Sequence, residues 1–336
     1  MLTLDRLNQP LGDYLEVEAD YAAIEVAAMV DLSSRGALRF TGPDRAKWLQ
    51  GLVSNDVLAL KPGQGHETLV LEIRGHIVAH MRLYNFGDYL LADLNAELSN
   101  STIRRLDFFR IMEKVELQEV TADYAHFGVF GQRAREVCAG FFPADWQPAQ
   151  EFACATHEVA GAEWLIVNSG LCGEPGLEFY VPPKAMDDLS RLLADRARLV
   201  DPALIAIVRI EHGRPWQPME LNEKVFPQEA CIEDRAVSFT KGCYVGQETV
   251  ARIHARGHVN RKLTSLRFDE PVPPGARLLL EQGKEVGQVT SVCRSPRFGL
   301  IGLGYLRCEH RDSGTIVSAT AEDRRIPTTA VETFGA

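Results

Sequence analysis

Residues 37–44 read Ala37-Leu38-Arg39-Phe40-Thr41-Gly42-Pro43-Asp44. Four residues of strand character run into a Gly-Pro turn. Pro43 stands where a helix can begin, because its fixed φ suits a first turn and its missing N–H would find no intrahelical partner there. Ala46, Leu49, Leu52 and Val53 then give that helix an apolar stripe. The rhythm returns downstream as a strand over 127–130, Gly131, and a helix through Val137. Between the two units, 68–73 and 77–84 predict strands around the Arg74-Gly75-His76 turn, 89–93 a third strand, 96–109 a helix and 115–120 another strand. Further on, 164–168 and 177–181 predict strands and 184–197 a helix. Short strands and helices alternate without a long βαβ series, which favours α+β layers over a doubly wound sheet.

From Leu263 the texture changes. Glycine and proline recur, Pro271, Pro273 and Pro274 mark turns, and short β-type runs follow at 264–268, 276–280, 286–292, 300–305 and 316–319. No helical period is visible, so this part predicts a small all-β barrel or sandwich. Between Glu211 and Lys241 lies a long irregular stretch with Pro215, Pro218 and Pro227. Structureless stretches of that length in compact proteins are commonly functional.

The 336 residues predict two or three domains. At 46% hydrophobic and 24% charged, the chain can bury a sizeable core and is not a disordered polymer. A net charge of −10, from 36 basic and 46 acidic side chains, disfavours a generic nucleic-acid-coating protein. The apolar run 203–208 is far shorter than the roughly 20 residues of a membrane span. Residues 1–20 carry acids and a proline without an apolar core, so no signal peptide is expected and the predicted compartment is the cytoplasm, with no membrane partner. The seven cysteines include no C-x-x-C pair, which argues against a disulfide framework or a zinc knuckle.

The densest chemical signal is Lys241-Gly242-Cys243-Tyr244-Val245-Gly246-Gln247-Glu248. A helix is expected over 245–256, with Val250 and Ile253 on its apolar face, Arg252 and Arg256 in the last turn, and Gly257 as its stop. Cys243 would then sit near a helix N-terminus with Lys241 two residues away, and both would favour a thiolate. The same cysteine also reads as a small apolar residue in packing. Arg252, Arg256, Arg261 and Lys262, interleaved with His254 and His258, form a local basic cluster. It suits an anionic ligand tail or a phosphate backbone, or is a solvated helix end.

The octapeptide resembles the signature of the YgfZ family, folate-binding proteins implicated in iron–sulfur cluster assembly and repair. Arg39-Phe40-Thr41-Gly42-Pro43-Asp44 with Asn55-Asp56-Val57, and Arg209-Ile210-Glu211-His212-Gly213-Arg214-Pro215 followed by Pro227-Gln228-Glu229, resemble blocks of the wider glycine-cleavage T-protein (aminomethyltransferase) superfamily. The Ser295-Pro296 stretch and the glycine-rich end resemble its C-terminal part. This resemblance implies an α+β fold with two ferredoxin-like folate-binding domains plus a C-terminal β-barrel in a ring. It divides the chain into a folate-binding region of two intertwined domains over 1–260 and a barrel over 261–336. It implies tetrahydrofolate, or a one-carbon derivative, in the central opening, with Glu178 and Arg209 against the pterin. A carboxylate there can accept paired hydrogen bonds from pterin N–H groups, and an arginine can donate to ring acceptors. Read without the resemblance, Glu178 is a strand carboxylate facing water and Arg209 a salt-bridge partner.

One departure bears on chemistry. T-protein enzymes carry an acidic pair after a Gly-x-Ile turn, whereas here the stretch is Gly75-His76-Ile77-Val78-Ala79-His80-Met81. The missing carboxylate near Ala79 and His80 argues against aminomethyl transfer, which needs a group to manage protons. His76 and His80 are expected to share one strand face. The reading is therefore a tetrahydrofolate-binding accessory protein for iron–sulfur cluster biogenesis or repair, with Cys243 as its functional thiol. Its partners would be cluster-enzyme clients, tRNA-modifying ones among them, or the assembly machinery. No permanently bound metal is expected. The alternative is a folate-dependent aminomethyl or one-carbon transferase, and a third reading is an RNA-interacting module using the basic cluster.

Overall fold

A computed structural model describes residues 15–146 and 150–335. The expectation about a signal peptide falls largely on residues outside these. No helix among the described residues is long and apolar enough to cross a membrane.

The chain builds two open sheets and a closed barrel. The first sheet joins β1 (Ala28–Asp31), β7 (Ala125–Phe130), β8 (Cys154–Val159), β9 (Ala162–Ser169), β10 (Gly176–Val181) and β11 (Arg198–Val200), in the order β11-β1-β7-β10-β9-β8. The second joins β2 (Arg35–Thr41), β3 (Gly65–Leu71), β4 (Ile77–Asn85), β5 (Leu90–Asn95) and β6 (Glu116–Glu119), in the order β3-β4-β5-β2-β6. α2 (Arg45–Gln50) and α3 (Ser99–Asp107) cover one face of this second sheet. They bring Trp48, Leu49 and Leu106 onto Ala79, Met81 and Leu83 of β4. Its other face meets the first sheet, where Ala37, Tyr84 and Leu91 pack on Leu165, Val167 and Tyr180. β7 and β10 are consequently buried along their whole length.

The strand-turn-helix reading of 37–53 holds, with the helix limited to Arg45–Gln50. The helix expected over 96–109 divides into a 3-10 turn, Ala96–Leu98, and α3, because the Asn95 side chain accepts from Glu97 N and starts the turn on its own. The helix after Gly131 is the single turn α4 (Ala134–Val137), and that over 184–197 shrinks to α5 (Met186–Leu193) after a 3-10 turn.

The helix α6 (Ala203–Glu211) joins the two halves of the molecule. It is apolar nearly all round and therefore buried on several sides. Leu204, Ile205 and Val208 pack on β1 and Phe130, while Ile207 and Ile210 pack on Ile301 and Leu303 of the barrel. The barrel closes as β12 (Arg261–Phe268), β15 (Gly299–Arg307), β14 (Glu285–Ser295), β13 (Arg277–Leu279), β16 (Ile316–Ala321) and β17 (Arg324–Val331). Closure leaves no free strand edge. Of the six strands, β17 has no counterpart in the sequence reading, whose last β run ends at 319. It pairs with both β12 and β16 and so completes the ring.

Candidate functional site

A cavity of about 350 Å³ opens where the two sheets, the start of α6 and the irregular stretch 212–235 converge. That volume lies in the usual range for small-molecule sites. β5 pairs with β4 only from Arg82 to Asn85, so the β4 backbone nearer the Arg74-Gly75 turn lacks a strand neighbour on that side. Gln217 takes the place of one: its Oε1 accepts from His80 N at 2.9 Å and its Nε2 donates to Val78 O at 2.7 Å. The stretch predicted to be functional for its length is thus stitched to the sheet and forms a wall of the cavity. Arg214, Pro215 and Trp216 line it.

Strand alternation decides which β4 side chains reach the cavity. Ala79 points into the α2/α3 core, while His80 and Arg82 point the other way and line the cavity. His76 does not join them. It sits in the turn, stacked on Phe226 at 4.2 Å and bonded to Glu72. The expected absence of a carboxylate holds for β4 alone, because Glu67 of β3 lines the same cavity, with Oε2 3.9 Å from His80 Nε2. Arg235 of α7 (Glu233–Ala236) clamps Glu67 through Nε at 2.9 Å and Nη2 at 3.1 Å, and reaches Glu151 at 2.8 Å. Burial acts to raise the Glu67 pKa, but His80 and Arg235 outweigh it and hold the carboxyl below its ordinary value. Burial pushes the His80 imidazole down, against the pull of Glu67, so it is neutral near pH 7. His80 Nε2 is buried and has no hydrogen-bond partner. Of the four arginines that line the cavity, Arg35, Arg82 and Arg235 are ion-paired with Asp93, Glu178, Glu67 and Glu151, and Arg214 carries no salt bridge among the described residues.

Behind the wall runs a buried ion-pair network that ties the sheets together. Arg82 donates to Asp93 of β5 and, through both Nη atoms, to Glu178 of β10. Arg35 also donates to Asp93, and Tyr180 Oη donates to the other Asp93 oxygen at 3.0 Å. Glu178 further accepts from Ser169 Oγ and bonds His126 Nε2 at 2.8 Å. Burial would raise the Glu178 carboxyl, yet Arg82 and His126 hold it well below the usual carboxylate range. Asp93, His126 and Glu178 bring metal-type ligand atoms within 4.8 Å of one another. Their oxygens already face arginine, tyrosine and serine donors, which makes the group an ion-pair network.

Glu178 therefore does not face water, since both faces of β10 are covered, and it does not line the cavity. It stands one layer back, behind Arg82. Arg209 is placed similarly. It bonds Glu220 at 3.0 Å, Ser291 of the barrel at 2.8 Å and the Arg214 carbonyl at 3.1 Å. Its guanidinium lies 5.3 Å from the centre of the Trp216 ring. It is a salt-bridge partner that also backs a cavity-lining aromatic.

The octapeptide lies outside the cavity lining. Its helix, α8 (Gln247–Arg256), starts two residues later than expected, because Gly246 is left-handed at φ 84°. A Cβ on Gly246 would come within 2.6 Å of Glu72 O, so the residue allows the motif to lie against the β3–β4 turn. Lys241 turns inward and donates to the carbonyls of Gln50, Val53 and Asn55 at 2.6, 2.6 and 2.9 Å. Its charge is thus directed to the loop after α2 and not to Cys243, which precedes the first residue of α8 by four positions. Tyr244 is buried and packs 5.0 Å from the Lys241 ammonium, while Gly242, Cys243 and Glu248 are exposed. Gln247 opens the helix and bonds back to Tyr244 O.

The basic cluster is divided. Arg261 pairs with Glu229 and lies over the Tyr305 ring, and Lys262 is 4.0 Å from Glu233, whereas Arg252 and Arg256 are exposed on α8. Sequence reasoning passed over Arg35, Glu67, Arg214, Trp216 and Arg235. A signal existed for two of them: Arg214-Pro215-Trp216 opens the long irregular stretch. Glu67 was hidden because the strand was read as starting at Thr68, when it starts at Gly65.

The family model of the GCVT N-terminal domain matches residues 12–241, and that of the glycine cleavage T-protein C-terminal barrel domain matches residues 261–334. The chain is 28% identical to an aminomethyltransferase of Saccharopolyspora erythraea over 93% of its own length and 88% of that protein. It is 26% identical to a putative chloroplastic transferase of Arabidopsis thaliana over 86% of its length and 67% of that protein. Among solved structures, the glycine cleavage system aminomethyltransferase T of Bartonella henselae superposes with a TM-score of 0.85 at 19% identity, over 98% of this chain and 94% of that one. That likeness establishes the fold, with its two sheets and closed C-terminal barrel. The chain belongs to the glycine cleavage T-protein family.

Proposed function

We propose that the cavity binds a tetrahydrofolate and that the protein is a folate-dependent aminomethyl or one-carbon transferase. The observation that carries this reading is the unpartnered, buried His80 Nε2 in the wall of a cavity that also holds Trp216 and Arg214. A buried polar atom without a partner is costly, and a polar ligand relieves it. The relatives named aminomethyltransferase support the transferase reading. When bound, the folate supplies amine nitrogens that accept a one-carbon unit. Trp216 offers a flat face for a ring, steadied from behind by Arg209. Arg214, which carries no salt bridge among the described residues, offers positive charge to a ligand carboxylate. Glu178 acts through Arg82, whose orientation it fixes. His80 and Glu67 are the groups able to manage protons, in place of an acidic pair on β4. Calorimetric titration with tetrahydrofolate, followed by ammonia release from an aminomethyl-lipoyl carrier, tests both halves. Saturable binding with turnover above background is expected. Binding without turnover would refute the transferase and leave a folate-binding protein.

A second reading, as an accessory factor for iron–sulfur cluster biogenesis or repair, is favoured by the octapeptide, which exposes Cys243 at the surface while Lys241 and Tyr244 anchor the loop. Its test is the activity of cluster enzymes, tRNA-modifying ones included, in cells whose own copy is replaced by Cys243→Ala. Activity equal to the parent's would reject it.

A further inference from the structure

We propose that His80 Nε2 and Glu67 Oε2 form a donor–acceptor pair that recognises a secondary-amine ring nitrogen of the folate and so selects reduced over oxidised folate. The proposal rests on the folate reading above and adds the residues that read the ring's oxidation state. The two atoms are 3.9 Å apart, too far for a hydrogen bond with each other. A third atom roughly 2.9 Å from each fits against both.

Neither residue is free to close the gap. Glu67 is held on both oxygens by Arg235, which is itself tied to Glu151. His80 is fixed at its backbone N by Gln217, and its strand neighbour Arg82 is locked between Asp93 and Glu178. Arg235 clamps both Glu67 oxygens as a carboxylate, so Glu67 only accepts, and burial disfavours the charged form of His80. With the carboxylate beside Nε2, the tautomer carrying hydrogen on Nε2 is favoured, which makes that buried, unpartnered atom a donor lacking an acceptor.

A tetrahydropterin ring nitrogen carries one hydrogen and one lone pair. It can donate to Glu67 and accept from His80 at once. The corresponding nitrogen of a fully oxidised pterin carries only a lone pair. It can satisfy His80, but it presents that lone pair beside the Glu67 negative charge and leaves the carboxylate without its donor. A site built to bond an N–H rejects the analogue lacking it, because its own buried group is then unpaired.

The test is calorimetric titration of the full chain with tetrahydrofolate under anaerobic conditions and, separately, with folic acid. The parent is expected to prefer tetrahydrofolate at least tenfold. His80→Leu removes the donor and should weaken tetrahydrofolate about tenfold, the loss of one hydrogen bond. His80→Gln restores an amide donor and should recover most of that loss. Glu67→Gln exchanges an acceptor-only group for one that can also donate, so the preference should fall to within about threefold. If Glu67→Gln does not fold, the His80 pair decides. A parent that binds both folates equally, or an unchanged tetrahydrofolate affinity in His80→Leu, overturns this proposal while the folate reading stands. A parent that binds neither folate overturns both.

Discussion

Lys241 and Cys243 stand two residues apart and face opposite ways. The lysine ammonium serves three backbone carbonyls after α2, and burial pulls its pKa down to about 8. Lys241→Met leaves those carbonyls without their donor and should cost about 2 kcal/mol in urea unfolding. Gly246→Ala forces a Cβ against Glu72 O at positive φ and should cost about 1–3 kcal/mol by the same assay. Cys243, being exposed, should tolerate alanine within about 0.5 kcal/mol. It should also label first under limiting iodoacetamide, read by mass spectrometry. Burial pushes Cys138, Cys154 and Cys172 up to about 12, and partial desolvation in the cavity wall raises Cys231. Faster labelling of Cys231 would show that cavity-wall position, not the octapeptide, sets reactivity. The helix that follows the octapeptide and its stop at Gly257 were legible in the sequence. The direction of Lys241 was not, because its three acceptors lie nearly two hundred residues upstream and no local pattern points to them.

β4 and β10 illustrate what strand period can and cannot say. Alternation correctly separates Ala79 from His80, but it does not say which face of the strand is core. β10 offers no contrast at all, since both of its faces are covered and Glu178 lies inside. A lone carboxylate in an apolar strand reads as solvent-facing until its partners are known, and here Arg82, Ser169 and His126 come from three other strands. Glu178→Ala removes one of the two carboxylates that pair with buried Arg82 and should cost about 3–5 kcal/mol, seen in chemical denaturation. The Asp93 carboxyl, which burial would raise, is held below its ordinary value by Arg35 and Arg82, and Glu178 is likewise depressed. A depressed carboxyl contributes stability that is complete above the unfolded value, about pH 4, and is lost as pH falls through the folded value. Unfolding free energy should therefore drop steeply from about pH 5 to about pH 3, and the Glu178→Gln variant should show a shallower drop. Equal slopes would mean that the network does not govern acid stability.

At the scale of the whole molecule, the change of texture near Leu263 announced the barrel, because short β runs with glycine and proline turns carry their own signature. The cavity left no such trace. It is assembled from β1 to β4, the start of α6 and the stretch 212–235, and only the length of that stretch hinted at function. The two charged residues singled out for the ligand, Glu178 and Arg209, lie one layer behind the residues that line the cavity. The site is thus a shell of Arg82, Trp216, His80 and Glu67 supported by a buried polar frame spanning both sheets and the barrel. On the function proposed above, a reduced folate occupies this cavity. The most direct test is a crystal structure of the protein grown with tetrahydrofolate under anaerobic conditions. Ring density is expected in the cavity, against Trp216 and within hydrogen-bond reach of His80 and Glu67. Folate bound elsewhere on the protein, with the cavity holding only solvent, would contradict it.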